Sequence, residues 1–185
     1  MKICKAQVLL FVLTAVLLFA GTKVNAVEMV KGPVIENYGP VVAVPEGSYN
    51  LKKDTHYKVT MDVGDTGDFP EDLNRHMESA ARFLNMHTRN GIDPENIEFA
   101  IIVHGAAAKD LLTDAAYQKR HQEPNPNTAM LNEFKAAGVE IYLCGQTAGF
   151  RGIAPDELNP AVTMALSAMT AHVRLQSEGF TLIPF

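Results

Sequence analysis

The chain has 185 residues, 47% of them hydrophobic, with 16 Lys and Arg against 21 Asp and Glu and a formal net charge of −5. An acidic chain without clustered basic residues lacks the surface that nucleic acid or anionic lipid would bind, so neither is expected as a partner.

Residues 1–26 read as a signal peptide. Lys2 and Lys5 precede an uncharged apolar stretch, Val8 to Ala20, and Val24-Asn25-Ala26 offers small residues for cleavage. The apolar stretch falls short of the roughly 20 residues that span a bilayer. Cleavage near Ala26 predicts a periplasmic or secreted bacterial protein with no membrane attachment. It leaves 159 residues, one domain's worth, and moves the net charge from −5 to −8 by removing three lysines. It also removes Cys4, so Cys144 becomes the lone cysteine and no internal disulfide is possible.

Residues 27–54 show no period and are broken by Pro33, Gly39, Pro40, Pro45 and Gly47. With Val34-Ile35 and Val41-Val42 as apolar anchors, they read as an extended arm packed on the domain or on a neighbouring subunit. The domain itself is predicted over 55–185. Tyr57 to Val63 alternates apolar and polar residues, the mark of a strand with one buried face. A helix is predicted over 69–89, capped by Asp68 with Pro70 in its first turn and closed by Asn90-Gly91. His76 and His87 on it read as surface residues. Ile97 to Val103 is nearly all apolar, as in parallel strands covered on both faces. His104-Gly105 ends it.

Helices over about 107–120 and 127–137 follow, separated by the loop Glu123 to Asn127. A strand over 139–143 then runs into Cys144-Gly145. Residues 146–156 read as a glycine-containing loop. Residues 160–178 fit either one helix or a short strand, Val162 to Leu166, before a helix from Ser167 to Glu178. Phe180 to Ile183 closes the chain as a strand. The alternation predicts an α/β fold with a parallel sheet between helical layers.

In such sheets, ligands bind outside the carboxyl ends of the strands. Cys144 and His104 are predicted there as the reactive pair. Gly105, Gly145, Gln146 and Arg151 are predicted around them as binding residues. Backbone amides and Arg151 would stabilise a thiolate, and His104 would supply charge or act as a base. The other reading of His104 is a strand-end histidine bonded to a carbonyl. There is no phosphate loop, dinucleotide fingerprint, serine elbow or Cys-x-x-Cys pair. The histidines form no zinc spacing, so neither a metal nor another cofactor is predicted.

Several blocks in this order resemble one family. They are Ile101-Ile102-Val103-His104-Gly105-Ala106-Ala107 and Val139-Glu140-Ile141-Tyr142-Leu143-Cys144-Gly145-Gln146-Thr147. Arg151-Gly152-Ile153, Asp156 to Val162 and Leu175 to Phe180 follow. The chain is similar to the DsrE/DsrF/YchN-like sulfur-relay proteins over about 55–185, in a form that carries a signal peptide. The resemblance implies a three-layer α/β/α fold with a mostly parallel five-stranded sheet, and a strand over 160–166. It also implies assembly as a homotrimer or homohexamer, with a persulfide on the cysteine matching Cys144. The partner would then be a sulfur donor or acceptor, either a protein or a small sulfur compound. Studied carriers of this family are cytoplasmic, and many relatives have no established activity. A non-enzymatic oligomeric binding module with a structural Cys144 stays open beside the sulfur carrier. So does an intersubunit thiol sensor of redox state or metal.

Overall fold

The computed structural model describes residues 27–45, 47, 49 and 51–184, so the segment read as a signal peptide lies outside them. A short ribbon of β1 (Met29–Val30) and β2 (Val41–Val42) comes first. The domain then runs through β3 (Tyr57–Val63), α1 (Arg75–Arg89), β4 (Ile97–Val103), α2 (Asp114–His121) and α3 (Thr128–Ala136). It ends with β5 (Glu140–Cys144), α4 (Gly145–Arg151), β6 (Val162–Ala165), α5 (Ala168–Ser177) and β7 (Thr181–Ile183).

Five strands form one sheet in the order β6-β5-β4-β3-β7, and every pairing in it is parallel. The period of two along each strand divides the core. On β4, Ile97, Phe99, Ile101 and Val103 pack with Met77 and Leu84 of α1, Tyr117 of α2 and Met130, Leu131 and Phe134 of α3. Ala100 and Ile102 point the other way, onto Ala171 and Leu175 of α5 and onto Phe180. The sheet therefore has helices on both faces, the α/β/α sandwich anticipated from the strand pattern.

The helix predicted over 69–89 begins six residues later. Asn74, not Asp68, caps α1, its side chain accepting from the amides of His76 and Met77. Asp72 turns back to accept from the Phe69 amide, which closes a turn before the helix. Pro70 therefore lies in that turn, where its carbonyl accepts from the Tyr117 hydroxyl at 2.6 Å. The helix predicted over 107–120 is split into a 3-10 stretch, Gly105–Leu111, and α2, because the Thr113 side chain caps a new helix at Ala116. The loop predicted over 146–156 holds α4 in its first half. His87 is half-buried, not a surface residue, stacked on Phe83 at 3.8 Å between centroids.

The arm packs along α1. Ile35 is fully buried. The buried Asn85 side chain accepts from the amides of Val34 and Ile35 and donates to the carbonyls of Ile35, Tyr38 and Gly39. Gly39 has φ +62°, and a Cβ there would stand 2.2 Å from the Arg82 amide nitrogen, so the contact requires glycine.

A candidate thiol site at the sheet rim

The C-terminal ends of β3, β4 and β5 form one rim. Along that rim, Asp62, His104 and Cys144 continue the even-numbered positions that face α5. Cys144 is the free cysteine among the described residues and is only 7% exposed. Its sulfur makes no tight cap bond to the first turn of α4. The amides of Thr147, Ala168 and Gln146 and the Thr147 hydroxyl, at two helix starts, instead lie around it and favour its charged form. Burial pushes the thiol up. These donors outweigh burial and hold the thiol below its usual range.

Thr147 also ties the rim together, since its Oγ1 accepts from the Gly105 amide at 3.3 Å. Gly105 has φ +56°, and a Cβ there would stand 2.9 Å from the Gly64 carbonyl oxygen. A larger residue would separate the ends of β3 and β4. Gly145 is equally confined: a Cβ on it would lie 2.5 Å from the Ala165 carbonyl oxygen. Gln146 spans to β6, its side-chain amide donating to Leu166 at 3.2 Å.

His104 stands at the end of β4 but turns its ring toward β3. Its Nε2 lies 2.9 Å from Asp62 Oδ2. The register explains the reach. Asp62 pairs with Ile102, so His104 is the diagonal neighbour on the same face. The second oxygen of Asp62 accepts from His172 Nε2 of α5 at 2.7 Å. One carboxylate thus bridges two imidazoles. Burial raises the Asp62 carboxyl, but the hydrogen bonds and charge of His104 and His172 prevail and hold it below the usual carboxylate range.

Arg151 is not beside the thiol. It ends α4, seven residues on from Cys144, which is about 10 Å along the helix axis. Its carbonyl accepts from Arg120, and its side chain is exposed. The amides do what was expected of its charge. Of the predicted site residues, Cys144, Gly145, Gln146, His104 and Gly105 come together on the rim. Asp62, Thr147, Ala168 and His172 join them unpredicted. The sequence signal for Asp62 was a carboxylate near the end of a half-buried strand. His172 carried none, because its role depends on how α5 crosses the sheet.

A cleft of about 420 Å3 opens beside His104, lined by Asp62, Asp65, His76 and Gly105 among others. The chain steps from β3 through β4 and β5 to β6 on one side, then places β7 on the other side of β3. The reversal falls at β3, where open parallel sheets form their crevice. The cleft wall between β3 and α1 is held by Asp110. This fully buried carboxylate accepts from Thr66 at 2.6 Å, Asn74 at 2.7 Å and Lys109 at 2.9 Å. Among the described residues, no group of three His, Cys, Asp or Glu side chains could hold a metal ion.

The fold and rim define a parallel α/β sandwich with a thiol at the carboxyl end of a central strand. The model of the DsrE/DsrF-like family matches residues 58–185, and the chain belongs to that family, whose general role is sulfur relay. Among solved structures, it is similar to MTH1491 of Methanobacterium thermoautotrophicum, described as a protein of unknown function. That match has 21% identity and a TM-score of 0.50, covering 69% of this chain and 97% of that one. It is also similar to the ychN protein of E. coli, at 16% identity and a TM-score of 0.49, covering 69% and 99%. No curated protein matches the sequence.

Proposed function

We propose that this protein accepts and holds a sulfane sulfur on Cys144, as a carrier in a sulfur relay. The observation that carries the reading is the surroundings of the thiol. Three amides and a hydroxyl around one free sulfur favour its anion, which is the form that attacks sulfur. Family membership supports the same chemistry. In the step, the Cys144 thiolate attacks the outer sulfur of a hydropersulfide R–S–S–H. A new S–S bond forms, the donor's S–S bond breaks, and R–S⁻ leaves with the electron pair. No net oxidation occurs.

The protein acts after export, on the reading of residues 1–26 as a cleaved signal peptide. It also assembles with copies of itself. Met169 and Val173 on the outer side of α5 and Leu166 just before it are 76%, 71% and 72% exposed, and Phe150 at the end of α4 is 92% exposed, an apolar surface suited to a partner. Light scattering on the mature chain tests that assembly.

Intact-mass spectrometry before and after incubation with polysulfide tests the carrier reading. The expected result is a reductant-reversible gain of one sulfur, absent in Cys144→Ser. A gain that persists in Cys144→Ser overturns it. The near-complete burial of Cys144 favours a second reading, a structural thiol in a binding module. On that reading the thiol gains no sulfur and resists alkylation until the protein unfolds.

A further inference from the structure

His172 holds an orphan. Its Nε2 faces the Asp62 carboxylate, while its Nδ1 is buried and has no partner. An ionised carboxylate only accepts, so Nε2 must carry the proton. In the neutral ring Nδ1 is then a bare acceptor. Native proteins leave few buried acceptors unsatisfied, so this one calls for a donor. His104 differs, because its side chain is 36% exposed and borders the open cleft, where water reaches it.

The position of the orphan indicates what that donor is. His172 follows Ala168 by four residues, one turn of α5 and about 6 Å along its axis. Both lie on the inward side of the helix, and the Ala168 amide is among the donors that favour the Cys144 anion. A second sulfur on Cys144 would project about 2 Å beyond Sγ.

We propose that the missing donor of His172 Nδ1 is the outer sulfhydryl of a persulfide on Cys144, and that His172 controls when that sulfur is released. Asp62 is the positioning residue, fixing the ring through Nε2. The inference rests on the carrier reading of Cys144. In the loaded protein the proton of Cys144–S–S–H passes to His172 Nδ1. This leaves Cys144–S–S⁻ beside an imidazolium that Asp62 stabilises, and an anionic outer sulfur resists nucleophiles. Return of the proton makes the outer sulfur electrophilic. An acceptor thiolate then bonds to it, and the Cys144 thiolate leaves with the electron pair toward the amides of Gln146, Thr147 and Ala168. The other titratable groups around the unit are His104 from β4, Asp65 and His76 across the cleft, and Arg174 further along α5, which is bonded to Tyr142 of β5.

The experiment loads the mature chain with polysulfide and follows release of the outer sulfur to cyanide as thiocyanate, per cyanide anion, across the neutral pH range. Wild type should release more slowly as pH rises. His172→Gln should load but release on the order of tenfold faster at neutral pH, with its pH dependence moved upward, as loss of the stabilising imidazolium requires. Asp62→Asn should move the same way by less, and Asp62→Glu should restore part of the retention. Thermal melting confirms that each variant is folded. Variants that load and release with the wild-type profile overturn the inference and leave the carrier reading intact. A wild type that gains no sulfur overturns both. Histidine 15N NMR on wild type needs no variant: the His172 Nδ1 resonance should move on loading and return on reduction, and one that stays fixed also overturns the inference.

Discussion

Asp62 and His172 stand 110 positions apart in the chain, and the carboxylate of one lies 2.7 Å from Nε2 of the other. Because His104 takes the second oxygen at 2.9 Å, a single side chain on β3 fixes the ring orientation of residues from β4 and α5. The rim is built around that carboxylate as much as around the thiol.

The Asp62 carboxyl titrates below its usual value in the folded chain. Its stabilising effect is therefore complete above the unfolded carboxyl value and is lost as pH falls through the lower folded value. Melting temperatures taken from neutral pH down through the carboxylate range should fall, and Asp62→Asn should flatten part of that decline. An unchanged acid limb in the variant would remove Asp62 from the account. The side chain is 42% exposed, so solvent screening keeps the effect small.

Cys144 should be alkylated with a midpoint below that of a free cysteine, since the converging donors favour its anion. Thr147→Val deletes the hydroxyl and keeps the shape, so the midpoint should move up. A rate–pH curve with iodoacetamide measures both. Arg151→Ala should leave the curve where it is, because that side chain sits at the far end of α4.

Gly145→Val should destabilise the domain by about 1–3 kcal/mol, the usual range for overpacking. The new Cβ would stand 2.5 Å from the Ala165 carbonyl oxygen, backbone that moves only if β6 moves. Chemical denaturation reads the difference. Wild-type stability would mean that the end of β6 yields freely.

Asn85→Ala should cost about 3 kcal/mol or more, since it leaves the arm's inward amides and carbonyls unpaired. Limited proteolysis should then cut the arm ahead of the domain. Cleavage at the wild-type rate would show that Ile35 alone seats it.

The architecture was legible because its signals are local and periodic. The alternation of Tyr57 to Val63 and the apolar run Ile97 to Val103 match β3 and β4 residue for residue. The start of α1 is not where the local pattern puts it, because Asp68 followed by Pro70 looks like a helix cap and first turn. The cap at Asn74 is held in place by Asn127, 53 positions away, and no local pattern reveals such a partner. Cys144 was legible as a cysteine at the end of a strand. Arg151 was assigned by proximity in sequence, which a helix converts into distance.

By itself the sequence determined the strands at Tyr57 to Val63, Ile97 to Val103 and before Cys144, and the parallel class of the sheet, since each follows from a local period or apolar run; the order of the strands came from the fold. Only the tertiary structure decided that Asp62 and His172 belong to the rim and that Ala168 of a distant helix lies beside Cys144. Those relations depend on strand register and on the path of α5 across the sheet, which bring together groups that no spacing along the chain connects.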